Sequence, residues 1–112
     1  MPYINTIANV PIPHEARETI KTRLGELITI LGKTEMQLMV DFTENSPLYF
    51  QGKSDPAAMV SVDVFGGADK EAYDAFSAGV VKLLGEVINV PAGRIFLKLD
   101  DHPYWTLGSR HV

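Results

Sequence analysis

Two kinds of hydrophobic periodicity alternate along this chain, and no other feature constrains its fold as strongly. Apolar residues recur at every second position in four short segments, and at steps of three and four in two longer ones. The predicted elements are a strand over 3–10, a helix over 14–32, a strand over 36–42, a strand over 58–65, a helix with its apolar stripe over 72–87 and a strand over 94–99. The second half repeats the order of the first at an offset of about 57 residues, which indicates a duplicated βαβ unit.

The duplication predicts an α+β fold with one domain over 1–112 and internal repeats over about 1–55 and 56–112. Right-handed crossovers place both helices on one face of a four-stranded sheet. The opposite face is expected to carry a half-apolar set of side chains: Asn5, Ile7, Met39, Asp41, Met59, Asp63, Phe96 and Lys98. Because such a face on a small chain is best covered by other subunits, we expect a closed symmetric oligomer.

Two segments show little regular pattern. Residues 43–56 contain Asn, Ser, two Pro, Gly and Asp around a short apolar stretch, which predicts a loop with a short edge strand at 48–50. Residues 100–112 begin with Asp100 and Asp101, interpreted as a solvated strand end because adjacent strand residues face opposite ways.

Composition excludes several classes of function. The chain has no Cys, which rules out disulfide scaffolds, thiol nucleophiles and Cys-rich zinc sites. Its net charge is −4 and it has no basic stripe, so we expect no nucleic-acid partner. No apolar run approaches the roughly 20 residues of a membrane helix, and the first residues show no leader pattern, so the protein is expected to be cytoplasmic or exported without a leader. His14, His102 and His111 lack metal-ligand spacing, and neither a metal nor a cofactor is predicted.

Several short motifs are spread along the chain: Met1-Pro2 before a strand, Asn9-Val10-Pro11, Leu31-Gly32-Lys33, Pro56, Phe65-Gly66 and Arg94-Ile95-Phe96. Together they resemble the motifs of a known family, the macrophage migration inhibitory factor and D-dopachrome tautomerase family of the tautomerase superfamily. The resemblance covers nearly the whole length. It implies a homotrimeric barrel of these sheets with active sites at the subunit interfaces. It also implies keto-enol tautomerisation of 2-keto acids similar to phenylpyruvate, or of D-dopachrome.

In that family the general base is an amino-terminal proline exposed by removal of Met1, which assigns this role to Pro2 here. A free α-amine has an ordinary pKa of about 7.7–8.0, so burial or nearby cations bring it close to neutrality. A retained Met1 leaves Pro2 an amide without a basic lone pair. The resemblance also places Lys33 at the mouth of the site, where it pairs with the substrate carboxylate. The helix dipole alone equally accounts for a lysine after a helix end.

Three further residues are expected to bind substrate. The resemblance assigns the backbone N–H of Phe65 to the carboxylate, although a core aromatic at a strand end is an equal interpretation. Phe96 and Lys98 occupy the positions of a tyrosine and an asparagine that vertebrate members contribute from a neighbouring subunit. Phe96 keeps an aromatic wall without the hydroxyl, whereas Lys98 adds a cation that suits an enolate or a second carboxylate. An exposed lysine on the last strand is the alternative for Lys98.

Other functions stay open. A signalling protein that engages a cell-surface receptor is compatible with the same fold. Hydration or decarboxylation of a 3-substituted acrylate is a third possibility, but it needs arginine or acidic partners near the proline that the sequence does not place. Ala57-Ala58-Met59-Val60 stands where vertebrate members have Cys-x-x-Cys, so thiol oxidoreductase activity is not expected. The shorter C-terminal segment also differs from the family pattern.

Overall fold

The computed structural model describes residues 1–111, and Val112, the last residue of the predicted domain, lies outside the described residues. Its main elements are β1 (Tyr3–Ala8), α1 (His14–Leu27), β2 (Met39–Thr43), β3 (Ala58–Val64), α2 (Lys70–Ile88), β4 (Ile95–Asp101), β5 (Thr106–Leu107) and β6 (Arg110–His111). Short 3-10 turns occupy Ile28–Leu31, Glu35–Gln37 and Ala92–Arg94. Strand, helix and strand therefore follow one another twice, in the predicted order.

Four strands form one mixed sheet in the order β2-β1-β3-β4. β1 pairs in parallel with β2, and β3 pairs in parallel with β4, as expected for two βαβ crossovers. The two units meet where β1 runs antiparallel to β3, with Tyr3 opposite Asp63 and Ala8 opposite Ala58. Because β3 and β4 are parallel, their C-terminal ends lie side by side near the beginning of β1.

Both helices cover one face of the sheet, and the core lies between them. Alternate strand residues that point to this side are almost fully buried, including Ile4, Val60 and Val62, and they pack against Phe76 and Leu84 of α2. The intervening residues form the open face, as the alternation predicts, and they comprise Tyr3, Asn5, Ile7, Met39, Asp41, Thr43, Met59, Ser61, Asp63, Phe96, Lys98 and Asp100. The four-stranded α+β fold with two helices on one face is confirmed.

Two side chains from the sequence motifs organise the long loop between β2 and β3. The Asn9 amide nitrogen donates to the carbonyl oxygens of Leu48, Ser54 and Asp55 at 2.9–3.2 Å. Its amide oxygen accepts from the backbone N–H of Ala57 at 2.8 Å. Arg94 donates to four backbone carbonyls of the same loop, Phe50, Lys53, Asp55 and Pro56. The loop is thus held by hydrogen bonds rather than by a strand ladder.

The first strand ends at Ala8 rather than at residue 10, and the last spans Ile95–Asp101 rather than 94–99. Larger differences from the sequence prediction occur at four other places. The first helix changes to a 3-10 turn after Leu27, and Gly32 ends that turn with φ 75°, which favours glycine. The second strand starts at Met39 because Glu35–Gln37 form a 3-10 turn. The expected edge strand at 48–50 is only an isolated bridge between Phe50 and Lys53. The C-terminal segment, predicted to be irregular, forms the small β5-β6 hairpin.

Candidate active site

A cleft of about 720 Å³ opens at the amino terminus of the chain. Its walls are largely apolar and come from the first three residues, the turn before β2 and the segment after β4. Pro2 is buried at this cleft, and Met1 is half-buried. The carbonyl oxygen of Pro2 accepts a hydrogen bond from the N–H of Met39 at 3.0 Å, which extends the pairing of β1 with β2. The amino terminus is therefore anchored by the sheet and faces a space large enough for a small organic molecule.

The electrostatic surroundings favour a neutral amine at this position. Burial lowers the pKa of the amino group of Met1 below its ordinary value of 8.0, and the positive charge of Lys33 lowers it further. Removal of Met1 makes the nitrogen of Pro2 the terminal amine, and Pro2 is the more buried of the two residues. A neutral amine in a cleft can accept a proton from carbon or oxygen.

Lys33 follows the turn that Gly32 ends, and its side chain extends toward the end of β3. Its Nζ donates to the carbonyl oxygens of Phe65 at 2.6 Å and of Gly66 at 3.0 Å. An ammonium group carries three N–H donors, so one remains for a ligand. The structure thus brings Pro2, Lys33 and Phe65 to one end of the sheet.

The turn after β3 is fixed by an aspartate from the neighbouring strand. The Asp101 carboxylate accepts from the backbone N–H of Gly66 at 2.9 Å and from that of Gly67 at 3.0 Å. Gly66 has φ 71°, a left-handed conformation that glycine adopts without a steric penalty. Asp101 was interpreted as a solvated strand end, but it binds the turn that carries Phe65. This contact positions the Phe65 backbone.

Phe96 and Lys98 lie away from this cleft in the described chain. Both are on the open face of β4, where Phe96 is opposite Met59 and Lys98 is opposite Ser61. Tyr3, Asp63 and Asp100 lie side by side on adjacent strands, and the cleft begins at this row. Phe96 precedes Asp100 by four residues in β4, which places it about 13 Å farther along the sheet. Phe96 is 60% exposed and its ring packs edge-on against Phe50, with centroids 5.1 Å apart. Neither Phe96 nor Lys98 is among the residues that line the cleft.

Several polar residues of the cleft were not singled out by the sequence. Tyr3 donates from its hydroxyl to Asp41 at 3.0 Å, and burial together with this hydrogen bond and the charges of Asp41 and Asp63 raises the pKa of Tyr3. His102 Nε2 lies 2.7 Å from Asp63 Oδ1. The alternation of strand residues predicted that Asp63 lies on the open face, but no sequence motif links Asp63 to His102. Their contact follows from the topology, since the parallel pairing of β3 and β4 brings Asp63 beside the residues that follow β4.

Within residues 1–111, no three His, Asp, Glu or Cys side chains cluster in a way that could hold a metal ion. Over the same residues, no helix combines the length and apolarity of a membrane span.

The profile of a known family matches residues 1–111, and its description is macrophage migration inhibitory factor (MIF). The chain belongs to the MIF family. The match spans all the elements that build the cleft, from Pro2 to the C-terminal hairpin, so the resemblance noted in the sequence motifs is confirmed. Membership of the MIF family supports a tautomerase-type or MIF-like role. Among curated proteins, no sequence matches the chain significantly.

Several solved structures share the fold. MIF2 from Leishmania major superimposes with a TM-score of 0.94 at 24% identity, covering 100% of this chain and 97% of that one. A MIF homologue from Prochlorococcus marinus has a TM-score of 0.87 at 27% identity and covers 96% of both chains. Pt0534 inactivated by 2-oxo-3-pentynoate has a TM-score of 0.78 at 20% identity, covering 89% of this chain and 85% of that one. These likenesses establish the fold across nearly the full chain.

Proposed function

We propose that this protein is a keto-enol tautomerase of 2-keto acids similar to phenylpyruvate, with Pro2 as general base after removal of Met1. The observation that carries the proposal is the position of the amino terminus, which lies in the main cleft close to the cation of Lys33. Burial and that cation favour the neutral amine, which is the form that can remove a proton from the α-carbon.

The substrate carboxylate has two candidate donors at the same end of the sheet. Lys33 keeps one N–H free after its bonds to Phe65 and Gly66, and it supplies a positive charge. The backbone N–H of Phe65 is the second donor that we propose, because Phe65 adjoins the turn held by Asp101. The apolar walls of the cleft suit the aryl or alkyl part of a 2-keto acid, and D-dopachrome is an alternative substrate of similar character.

We further propose a homotrimer in which Phe96 and Lys98 of a neighbouring subunit complete the cleft. The exposed side chains of Phe96 and Met39, both on the open face, support such a contact. Native mass spectrometry tests the assembly. A trimer that falls apart when Phe96 is replaced by Glu supports the arrangement, and a wild-type monomer active in the assay contradicts it.

The test of catalysis combines intact mass with a phenylpyruvate assay on one preparation. We expect loss of one methionine and measurable enol-to-keto conversion. Pro2→Gly keeps an amino-terminal amine but removes the secondary amine, and a one-residue extension before Pro2 converts it to an amide. Both variants should lose turnover, whereas full turnover in either one contradicts the mechanism.

Chemical labelling offers an independent measurement of the same amine. The compound bound by Pt0534, 2-oxo-3-pentynoate, is a 2-keto acid with a conjugated alkyne, and a neutral amine adds to such an alkyne. We expect one equivalent of label on the amino-terminal peptide. The extended variant is the matched control and should carry no label on the nitrogen of Pro2, which is then an amide.

A MIF-like binding role is the second candidate. Met36 and Tyr104 line the mouth of the cleft and are each 91% exposed, so they offer apolar surface to a protein partner such as a receptor. Binding to cells that survives in the Pro2→Gly variant favours this role, whereas binding that disappears with the free amine links it to catalysis.

A further inference from the structure

A histidine and an aspartate form a close pair in the wall of the Pro2 cleft, and the proposed function leaves them unused. His102 Nε2 lies 2.7 Å from Asp63 Oδ1, and both residues line the cleft together with Met1, Pro2 and Tyr3. The His102 side chain is 49% exposed and that of Asp63 is 26% exposed. The pair is therefore accessible to a molecule bound in the cleft, with the aspartate on its more buried side.

The backbone around His102 is held on both sides. Its N–H donates to the carbonyl oxygen of Val64 at 2.8 Å, which continues the pairing of β4 with β3. Its carbonyl oxygen accepts from the indole Nε1–H of Trp105 at 2.9 Å. The Trp105 ring also packs edge-on against the imidazole, with centroids 6.1 Å apart. A side chain restrained in this way loses little freedom when it reacts, which suits a group that transfers protons.

The contact with Asp63 determines which ring nitrogen is available. A carboxylate only accepts hydrogen bonds, so it favours the proton on Nε2 of His102. Nδ1 then carries the lone pair, and none of the hydrogen bonds found in residues 1–111 engages it. The arrangement of carboxylate, imidazole and free nitrogen is the one that orients a histidine as acid or base in many enzymes.

The neighbouring hydroxyl is less suited to this task. Tyr3 already donates its proton to Asp41, and burial with that hydrogen bond raises the pKa of Tyr3. Tyr104 is 91% exposed at the mouth of the cleft. Among the polar side chains that line the cleft, His102 is the group with both a positioning partner and an open nitrogen.

We propose that His102, positioned by Asp63, is a second proton-transfer residue and exchanges the proton of the substrate's enol oxygen. The inference rests on the proposed function, in which Pro2 exchanges the proton of the α-carbon. In the direction from enol to keto, Nδ1 takes the proton as the O–H bond breaks and the C=O bond forms. The electron pair of the C=C bond takes a proton from the Pro2 ammonium. His102 gains one proton and Pro2 loses one, and exchange with water restores both.

Kinetics of His102→Gln test the assignment. Glutamine can still donate a hydrogen bond to Asp63 and hold the C-terminal segment, but it cannot shuttle a proton. We expect kcat for phenylpyruvate to fall about 100-fold, with KM changed less than about threefold. Asp63→Asn should lower kcat in the same direction. His14→Gln and His111→Gln change histidines that do not line the cleft and should leave both constants unchanged.

A binding measurement on the wild-type protein keeps the test independent of variant folding. The chain has 3 His, so nitrogen NMR of protein labelled at histidine resolves each imidazole. Adding phenylpyruvate should shift the Nδ1 signal of His102 and leave His14 and His111 unmoved. An unmoved His102 signal, or full kcat in His102→Gln, overturns the inference.

The outcomes also separate this inference from the proposed function. Wild-type turnover that requires a free Pro2 amine but survives in His102→Gln overturns only the role of His102. Absence of wild-type turnover, with Pro2 left unlabelled by 2-oxo-3-pentynoate, overturns the proposed function and the inference with it. Loss of turnover in His102→Gln with labelling of Pro2 intact supports both, because the amine then remains reactive without its partner.

Discussion

The Nζ atom of Lys33 lies 2.6 Å from the carbonyl oxygen of Phe65, so the end of the first helix is joined to the end of the third strand. The same ammonium lowers the pKa of the terminal amine. The Lys33 side chain therefore both binds the turn after β3 and lowers the pKa of the terminal amine in the cleft. This double role links two motifs, Leu31-Gly32-Lys33 and Phe65-Gly66, that are far apart in sequence.

Replacing Lys33 by Met should move the pH dependence of catalysis to higher pH. In the direction from keto to enol the neutral amine is the active base, so kcat/KM measured in that direction rises with pH through the pKa of the free enzyme's amine. Burial and the Lys33 charge both lower the pKa of the Met1 amine, and we expect the same two causes to act on the Pro2 amine; Lys33→Met removes only the charge. The midpoint of the kcat/KM profile should therefore rise, while burial continues to act. Profiles measured at low and moderate salt check the electrostatic origin, because salt screens an exposed cation.

Lys33→Arg is the matched variant for this prediction because it keeps the positive charge. Its midpoint should stay closer to that of the wild type than the midpoint of Lys33→Met, even if its KM changes. Equal midpoints for all three proteins would show that Lys33 does not tune the amine.

Replacing Asp101 by Ala should loosen the turn that carries Phe65. The carboxylate accepts from two consecutive backbone N–H groups, those of Gly66 and Gly67, and both lose their partner. We expect the free energy of unfolding to fall by about 1 kcal/mol, since water replaces part of each exposed bond. KM for a 2-keto acid should rise because the Phe65 N–H is no longer held in place. Denaturant melts and steady-state kinetics measure the two effects.

Asp101→Asn is an intermediate variant that should keep one of the two hydrogen bonds to the turn. The amide keeps one oxygen as acceptor, so it can satisfy one of the two glycines, and its losses should lie between those of the wild type and Asp101→Ala. An Asp101→Ala protein with unchanged KM would contradict a role of this turn in substrate binding.

The fold could be predicted to a large extent because its signals are local and periodic. Alternation in β1 and β3 separates Ile4 and Val60 in the core from Asn5 and Met59 on the open face, as the structure has them. The end of the first helix was harder to predict from the sequence. Ile28–Leu31 continue the apolar pattern of the helix, but their backbone forms a 3-10 turn. The β5-β6 hairpin depends on only two short pairs and leaves no periodicity to detect.

The candidate site could be predicted only where a motif marks it. Pro2, Lys33 and Phe65 come from motifs and lie at one end of the sheet. The sequence spacing of Asp63 and His102 does not indicate that they meet, because their contact arises from the parallel register of β3 with β4. The role of Asp101 was missed for a related reason, since its hydrogen-bond partners are backbone groups 34 and 35 residues away.

Asn9→Asp should destabilise the protein more than Asn9→Ala. The Asn9 amide nitrogen donates to three carbonyl oxygens, those of Leu48, Ser54 and Asp55, at 2.9–3.2 Å. Alanine removes the donors and should cost about 2 kcal/mol of the free energy of unfolding. Aspartate places a negative oxygen against the same carbonyls, so it adds repulsion to the loss. Urea melts of the two variants at neutral pH show which substitution is more destabilising. If the side chain acts only by filling space, Asn9→Ala should be the more destabilising of the two.

Two glycines of α2 should respond in opposite directions to alanine. A Cβ on Gly79 would lie 2.6 Å from Leu27 Cδ2 at the contact between the helices, whereas a Cβ on Gly85 meets Val90 O at an ordinary 3.6 Å. Alanine favours a helix over glycine by about 1 kcal/mol. Gly85→Ala should therefore raise the free energy of unfolding by up to about that amount. Overpacking costs about 1–3 kcal/mol, so Gly79→Ala should lower it.

Thermal and urea unfolding of the two α2 variants measure these shifts with the same helix as background. Leu27→Ala in the Gly79→Ala protein provides the specific control, because it removes the atoms that the new methyl group meets. Adding Gly79→Ala to Leu27→Ala should cost less than adding it to the wild type, and the difference is the coupling between the two sites. Equal costs in both backgrounds would mean that close packing against Leu27 is not the reason for glycine at position 79.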